Sequence, residues 1–155
     1  PSHAERFFKA LPELGWTGVN VTVPHKEIAL QCADHVTDVA KAIDAANLLT
    51  VTSAGALKAD NTDIIGIKAA LAGDKTDTPA VLIGAGGAER AALYYLARQD
   101  RQITLVNRTR DRAEALAATC PASIRISTDL DEALMGAGLV INATSLGMTG
   151  QPSLA

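Results

Sequence analysis

An amine and a carboxylate set at the ends of structural elements are the residues of this chain most suited to moving a proton at a carbonyl oxygen. The stretch NVTVPHK, residues 20–26, leads into Lys26. Val19, Val21 and Val23 alternate with Asn20 and Thr22, the period of a half-buried strand, so a strand is expected over Gly18–Val23. Pro24 suits the first position of a following helix, His25–Leu30, which would hold Lys26 at the mouth of the strand. Lys26 then serves either as a solvated surface charge or as a catalytic group on a rigid scaffold. Asp63, in Asn61-Thr62-Asp63, stands at the start of another expected helix. Sequence spacing alone does not bring the two together.

A second chemistry is written in VLIGAGGAER, residues 81–90. Gly84, Ala85, Gly86, Gly87 and Ala88 lie between an apolar run and a helical pattern, where backbone N–H groups and a helix N-terminus can meet a pyrophosphate. Glu89 takes the third small-residue place of G-x-G-x-x-G, and Ala88, Ala91 and Ala92 offer close helix packing instead. A plain glycine turn in a βαβ unit is the alternative. Beyond the next apolar run stand Asn107, Arg108, Thr109 and Arg112, with no acid at the strand end to grip ribose hydroxyls. Guanidinium groups bind phosphate through planar, charge-assisted hydrogen bonds, so Arg108 and Arg112 point to NADP over NAD. Cations at a helix start oppose the macrodipole, which favours a ligand anion there.

The elements that must position these residues fall into an α/β pattern. A short helix over Ala4–Leu11 precedes the first strand, and Thr37 and Asp38 mark a helix reaching Ile43. Asn47–Thr52 and Ala56–Ala59 read as a hairpin about Ser53-Ala54-Gly55. Asn61, Thr62 and Asp63 offer caps to a helix over Ile64–Leu71. Residues 73–79 read as a linker. A strict alternation then follows: strands at Ala80–Ile83, Ile103–Val106, Ile124–Ile126 and Leu139–Asn142, and helices at Ala88–Arg98, Arg110–Ala118 and Leu130–Met135. Such alternation predicts a Rossmann-like parallel sheet covered on both faces. The expected organisation is a small α/β substrate-binding domain over 1–72 and an NADP-binding domain over 78–155.

The chain has 155 residues, 48% of them hydrophobic, and a formal net charge of −3, so no broad basic field is available for nucleic acid or a membrane surface. No apolar run approaches the roughly 20 residues that span a bilayer. Cys32 and Cys120 have no metal-like spacing, and the histidines are scattered, so no metal is expected; reduced thiols fit a cytoplasmic location. The partner expected is a small-molecule substrate, with the protein a monomer or homodimer. The start without Met and the stop at Gln-Pro-Ser-Leu-Ala suggest that both ends are cut.

NVTVPHK, AANLL, DNTD, GAGGA, NRTRDR and INATSLGM, in that order, resemble the motif series of the shikimate dehydrogenases across nearly all of residues 17–150. Those enzymes reduce 3-dehydroshikimate to shikimate with NADP in aromatic amino-acid biosynthesis. The resemblance implies that Lys26 is the catalytic lysine and Asp63 its partner, and that Thr22 and Asn47 contact substrate. It further places Gly84–Ala88 at the cofactor loop, Asn107, Arg108, Thr109 and Arg112 at the adenosine phosphate, and Ala143, Thr144 and Ser145 along the cofactor wall. Met148 would lie near the nicotinamide, and Asp38 near NADP. His25 is expected to pack or start a helix rather than to act as acid or base. The family has Gly-Ala-Val-Asn-Thr where Asp44-Ala45-Ala46-Asn47-Leu48 stands here, and Gly in place of Ile64. Its upstream Ser-x-Ser clamp and its C-terminal Tyr- and Gln-containing segments have no counterpart. Quinate or another cyclic hydroxy acid is thus the alternative substrate, and a non-catalytic NADP-binding module the alternative class.

Overall fold

Short apolar runs become strands, and apolar residues at helical spacing become helices, in a computed structural model that describes residues 3–74 and 78–153. The chain divides into two units, Pro1–Leu71 and Ala72–Ala155. The expected linker falls partly on residues 75–77, which lie outside the described residues.

The first unit runs α1 (His3–Ala10), β1 (Gly18–Asn20), α2 (Lys26–Cys32), β2 (His35–Val36), α3 (Asp38–Ile43), β3 (Leu48–Val51), β4 (Leu57–Asp60) and α4 (Asp63–Ala70). Its sheet has the order β1-β3-β4-β2. β3 and β4 form the expected antiparallel hairpin, with Leu48 opposite Asp60, whereas β2 joins β4 in parallel. Phe8 and Leu11, with Ala29 and Cys32 of α2, meet Leu49, Leu57 and Ala59 of the sheet in one apolar cluster. Burial raises the pKa of the Cys32 thiol. Gly18 allows β1 to approach β3 closely, since a Cβ there would lie 2.5 Å from the Leu49 carbonyl oxygen. Thr37 caps α3 as expected, its hydroxyl accepting from Ala40 N–H at 3.2 Å.

The first strand is shorter than its alternation suggests. β1 ends at Asn20, and Val23, expected on the buried face with Val21, is 65% exposed. Pro24 does not open the helix either. It sits in a turn, with the Val23–Pro24 peptide cis and His25 N–H donating to the Thr22 carbonyl at 2.9 Å. Proline has no N–H to give a ladder, so pairing cannot continue through it. The helix therefore starts at Lys26 itself. Asp44, which replaces an expected glycine, closes α3 at φ 59°, a left-handed position that glycine adopts freely and aspartate tolerates.

The second unit runs β5 (Ala80–Ile83), α5 (Gly87–Leu96), β6 (Ile103–Val106), α6 (Arg110–Ala118), β7 (Ile124–Ser127), α7 (Leu130–Leu134) and β8 (Leu139–Asn142). All its strand pairs are parallel, in the order β7-β6-β5-β8. Every residue of the central strand β5 is buried. Val81, Ile83 and Val106 pack with Ala133 of α7, while Leu82, Leu93, Leu96 and Leu105 are fully buried elsewhere in the unit. An ion pair of 2.7 Å between Arg101 and Asp74, both largely buried, anchors the approach to β6.

Leu49 is fully buried in the first unit's cluster, so Leu49→Ala should cost about 2–5 kcal/mol in urea unfolding. Leu14→Ala, at a position 57% exposed, should change stability by less than about 0.5 kcal/mol.

Candidate functional site

The first unit brings Lys26, Asp63 and Asn47 together. Lys26, the first residue of α2, donates from Nζ to Asp63 Oδ2 at 2.7 Å, and Asp63 is the first residue of α4. The lysine side chain is only 9% exposed and the aspartate 25%, so the pair is partly shielded from water. Asn47, just before β3, donates from Nδ2 to the other oxygen, Asp63 Oδ1, at 2.7 Å. Its Oδ1 accepts from Thr62 N–H at 2.8 Å. Both ends of the amide are thereby engaged, which sets the plane of the Asp63 carboxylate relative to the lysine.

Behind these residues lies a supporting layer that the sequence reading passed over as helix capping. Thr62 occupies the N-cap of α4 but makes no side-chain cap, its hydroxyl lying 3.0 Å from Asn47 Nδ2 instead. Asn61, buried, accepts Asp63 N–H at 3.0 Å and donates to the Ala45 carbonyl at 2.9 Å. Asp60 Oδ1 accepts both Thr37 Oγ1 and Asn61 N–H. The run Asp60-Asn61-Thr62-Asp63 is thus a hydrogen-bond scaffold that presents one carboxylate. The density of short polar side chains in that run was the available signal.

Thr22 is not part of that network. It lies exposed in the turn after β1, along an apolar cavity of about 520 Å³ lined also by Phe7, Phe8, Val19, Val21 and His25. His25 precedes α2 and is exposed, in keeping with a helix-start role. Asp38 is the exposed first residue of α3 and makes no bond to Lys26 or Asp63.

In the second unit the sheet collects the remaining residues at one end. Gly84–Gly86 follow β5, Gly87 and Ala88 open α5, and Ala143–Ser145 follow β8, the neighbour of β5 on its other side. Strand order reverses between β5 and β8, and loops outside the carboxyl ends of strands at such a switch point form the ligand crevice of open α/β sheets. Gly84 has φ +112°, and a Cβ there would lie 2.8 Å from Thr144 Cγ2, so only glycine fits between the two loops. Asn142, missed in the sequence, organises the β8 loop. Its Oδ1 accepts Thr144 N–H and Oγ1–H at 3.0 and 2.7 Å, and its Nδ2 donates to the Leu146 carbonyl at 3.1 Å.

Asn107 follows β6 and donates to the Thr109 carbonyl at 2.7 Å, folding the chain into the start of α6. Arg110 pairs with Glu114 at 2.7 Å. Arg108 and Arg112 are exposed and form no ion pair with the described residues. Met148 is 64% exposed. Among the described residues, no group of three or more His, Cys, Asp or Glu side chains is placed to hold a metal ion, and no helix is long and apolar enough to cross a membrane.

A parallel sheet in this order, with a glycine loop and a polar loop at its switch point, defines the second unit as a Rossmann-like nucleotide-binding fold. The first unit adds a shielded lysine–carboxylate pair, groups of a kind that can transfer a proton. The chain belongs to the shikimate dehydrogenase family: residues 1–49 match the shikimate dehydrogenase substrate binding domain, and residues 67–148 match shikimate / quinate 5-dehydrogenase. It is 43% identical over 162 residues to a shikimate dehydrogenase (NADP(+)) of Paramagnetospirillum magneticum, covering 99% of this chain and 59% of that protein. To the enzyme of the same name from Rhodospirillum rubrum it is 47% identical over 167 residues, with 99% and 59% covered. The chain therefore spans less than two thirds of the length of these relatives. Among solved structures, shikimate dehydrogenase from Aquifex aeolicus superposes with a TM-score of 0.86 at 31% identity, covering 96% of this chain and 56% of that one. The Thermus thermophilus shikimate 5-dehydrogenase in complex with NADP(H) and shikimate gives 0.77 at 36% identity, covering 92% and 53%.

Asn47→Ala should destabilise the chain by about 1–3 kcal/mol in urea unfolding, since it leaves Thr62 N–H and one oxygen of Asp63 without their partner. An unchanged midpoint would show that water replaces the amide without cost.

Proposed function

We propose that this chain carries the proton-transfer residues and most of the nucleotide-binding residues of an NADP-dependent shikimate dehydrogenase, acting reversibly on 3-dehydroshikimate and shikimate in aromatic amino-acid biosynthesis. The observation that carries the reading is the shielded Lys26–Asp63 pair, 2.7 Å long and aligned by Asn47. A nucleotide sensor has no use for such a pair. Matching names and bound molecules in the relatives, including NADP(H) and shikimate in the Thermus thermophilus structure, support the same activity.

The residues of the second unit fit the dinucleotide. Gly84 lets the loops after β5 and β8 close on each other where a side chain would clash, and the N-terminus of α5 follows within the same loop. Arg108 and Arg112, exposed and without ion-pair partners among the described residues, suit the 2′-phosphate. When bound, NADP supplies hydride exchange at its nicotinamide ring. The protein's part is proton management and placement. The Lys26 ammonium holds a proton at the substrate oxygen that changes between carbonyl and hydroxyl, while Asp63, fixed by Asn47, orients that lysine and accepts from a substrate hydroxyl. Thr22 and Asn47 are assigned to substrate contact, Ala143, Thr144, Ser145 and Met148 to the cofactor wall, and Asp38 to the cofactor's neighbourhood. The reading extends to a cytoplasmic enzyme, monomeric or dimeric.

In the intact natural protein, Lys26→Ala should lower kcat for shikimate oxidation by a factor on the order of 10² to 10⁴, with KM moving far less. Unchanged kcat in the NADPH absorbance assay would remove the lysine from the chemistry. Replacing both Arg108 and Arg112 by Ala should weaken NADP by about 3 kcal/mol or more, at about 1.5–3 kcal/mol per charge-assisted hydrogen bond, with little effect on NAD. Equal losses for both dinucleotides in calorimetric titration would assign the arginines to structure.

A further inference from the structure

Asp63 is held by two asparagines, and Asp60 is bonded to both of them. Asn47 grips the Asp63 carboxylate, and Asn61 accepts the Asp63 N–H at 3.0 Å. Asp60 reaches Asn47 through the main chain, its carbonyl accepting Asn47 N–H at 3.1 Å. It reaches Asn61 through its side chain, Oδ1 accepting Asn61 N–H at 2.7 Å, and the same Oδ1 accepts the Thr37 hydroxyl at 2.8 Å. Thr37 belongs to another element, as the N-cap of α3, where its Oγ1 accepts from Ala40 N–H. One hydroxyl thus closes a helix and anchors a carboxylate. Asn61 is 1% exposed and its amide is engaged at both ends, so it cannot turn without leaving a buried group unpaired. It passes a shift of Asp60 on to the first residue of α4 instead of absorbing it.

We propose that Asp60 and Thr37 are positioning residues for proton transfer: the Thr37 hydroxyl fixes Asp60, Asp60 fixes Asn61, and Asn61 fixes the backbone from which Asp63 meets Lys26. The inference rests on the proton-transfer reading given above. Both residues act at one remove from the pair, since the Asp63 carboxylate itself bonds to Lys26 and Asn47. Catalytic geometry is sensitive at that remove, where a misplacement of about 1 Å can cost about 10²-fold in rate. Both side-chain bonds to Asp60 end on one oxygen, so position 60 requires an acceptor atom and not a negative charge. A carboxylate that acts on Lys26 through its charge makes the opposite prediction, because neutralising it would cost as much as removing it.

The test is shikimate oxidation by the intact natural protein, followed by NADPH absorbance, with each kcat expressed per folded molecule from urea unfolding. Asp60→Ala should lower kcat at least about ten-fold while KM for shikimate stays within about three-fold. Asp60→Asn keeps the accepting oxygen and should recover kcat to within about three-fold of wild type. Thr37→Asp still offers an acceptor to the start of α3 but has no proton to give Asp60, so it should fall with Asp60→Ala. Thr37→Ser keeps both bonds and should recover, and the two Thr37 variants serve if Asp60→Ala does not fold. Wild-type kcat in Asp60→Ala or Thr37→Asp, or a kcat for Asp60→Asn as low as that of Asp60→Ala, would overturn this inference alone, provided that Lys26→Ala has lost activity. Wild-type kcat in Lys26→Ala would overturn the proton-transfer reading and this inference with it.

Discussion

A lysine ammonium with 9% of its side chain exposed has lost most of its water, and that loss is tolerable only beside a hydrogen-bonded carboxylate. Much of the first unit can be understood from this requirement. Lys26 begins α2 and Asp63 begins α4, so the pair ties together the starts of two helices far apart in sequence. The hairpin supplies the third member: Leu48 lies opposite Asp60, which brings Asn47 beside Thr62 and Asp63. Asn61 and Thr37 hold the same corner from below, through the Ala45 carbonyl and Asp60. The geometry of the Lys26–Asp63 pair and the fold of this unit are consequently one arrangement of hydrogen bonds. A change that loosens the corner acts on both.

The second unit rests on a different device, two loops held against each other at one end of a parallel sheet. The loops after β5 and β8 are pressed so closely that Thr144 and Gly84 leave no room for another side chain. Asn142 gives the β8 loop its shape through bonds to Thr144 and Leu146, much as Asn47 does for its neighbours in the first unit. In both places an asparagine that ends or precedes a strand converts a chain reversal into a defined surface.

The second unit was read from sequence with bounds close to those observed, because each of its apolar runs stops at a residue that cannot continue it. Ile83 is followed by Gly84, and Val106 by Asn107. The first unit was harder. Its opening alternation carries on through Val23, yet β1 ends at Asn20 and, after one more bond from Val21 N–H to the Asn47 carbonyl, the chain turns over Thr22–His25. β2, two exposed residues long, has no pattern to read; it exists because β4 presents a free edge. The types of the site residues were visible, but their meeting was not. Nothing in the spacing of Lys26, Asn47 and Asp63 states that a hairpin register will bring them within hydrogen-bond distance. Glu89 was noticed as a departure from the glycine pattern, whereas its turn back into the loop depends on the local course of α5.

The pairing of β5 with β8 has a consequence for how the molecule is made. Ala80 must wait for Leu139, with three helices and two further strands laid down in between, before its second edge is covered. Contacts of such long sequence separation form late, after their loop-closure entropy has been met. During synthesis the glycine loop therefore emerges early but gains its opposing wall only when β8 docks. Until then the buried strand beneath it has an open side, a template for pairing with other chains. Docking of β8 therefore covers the open edge of β5 and completes the pair of loops in a single step.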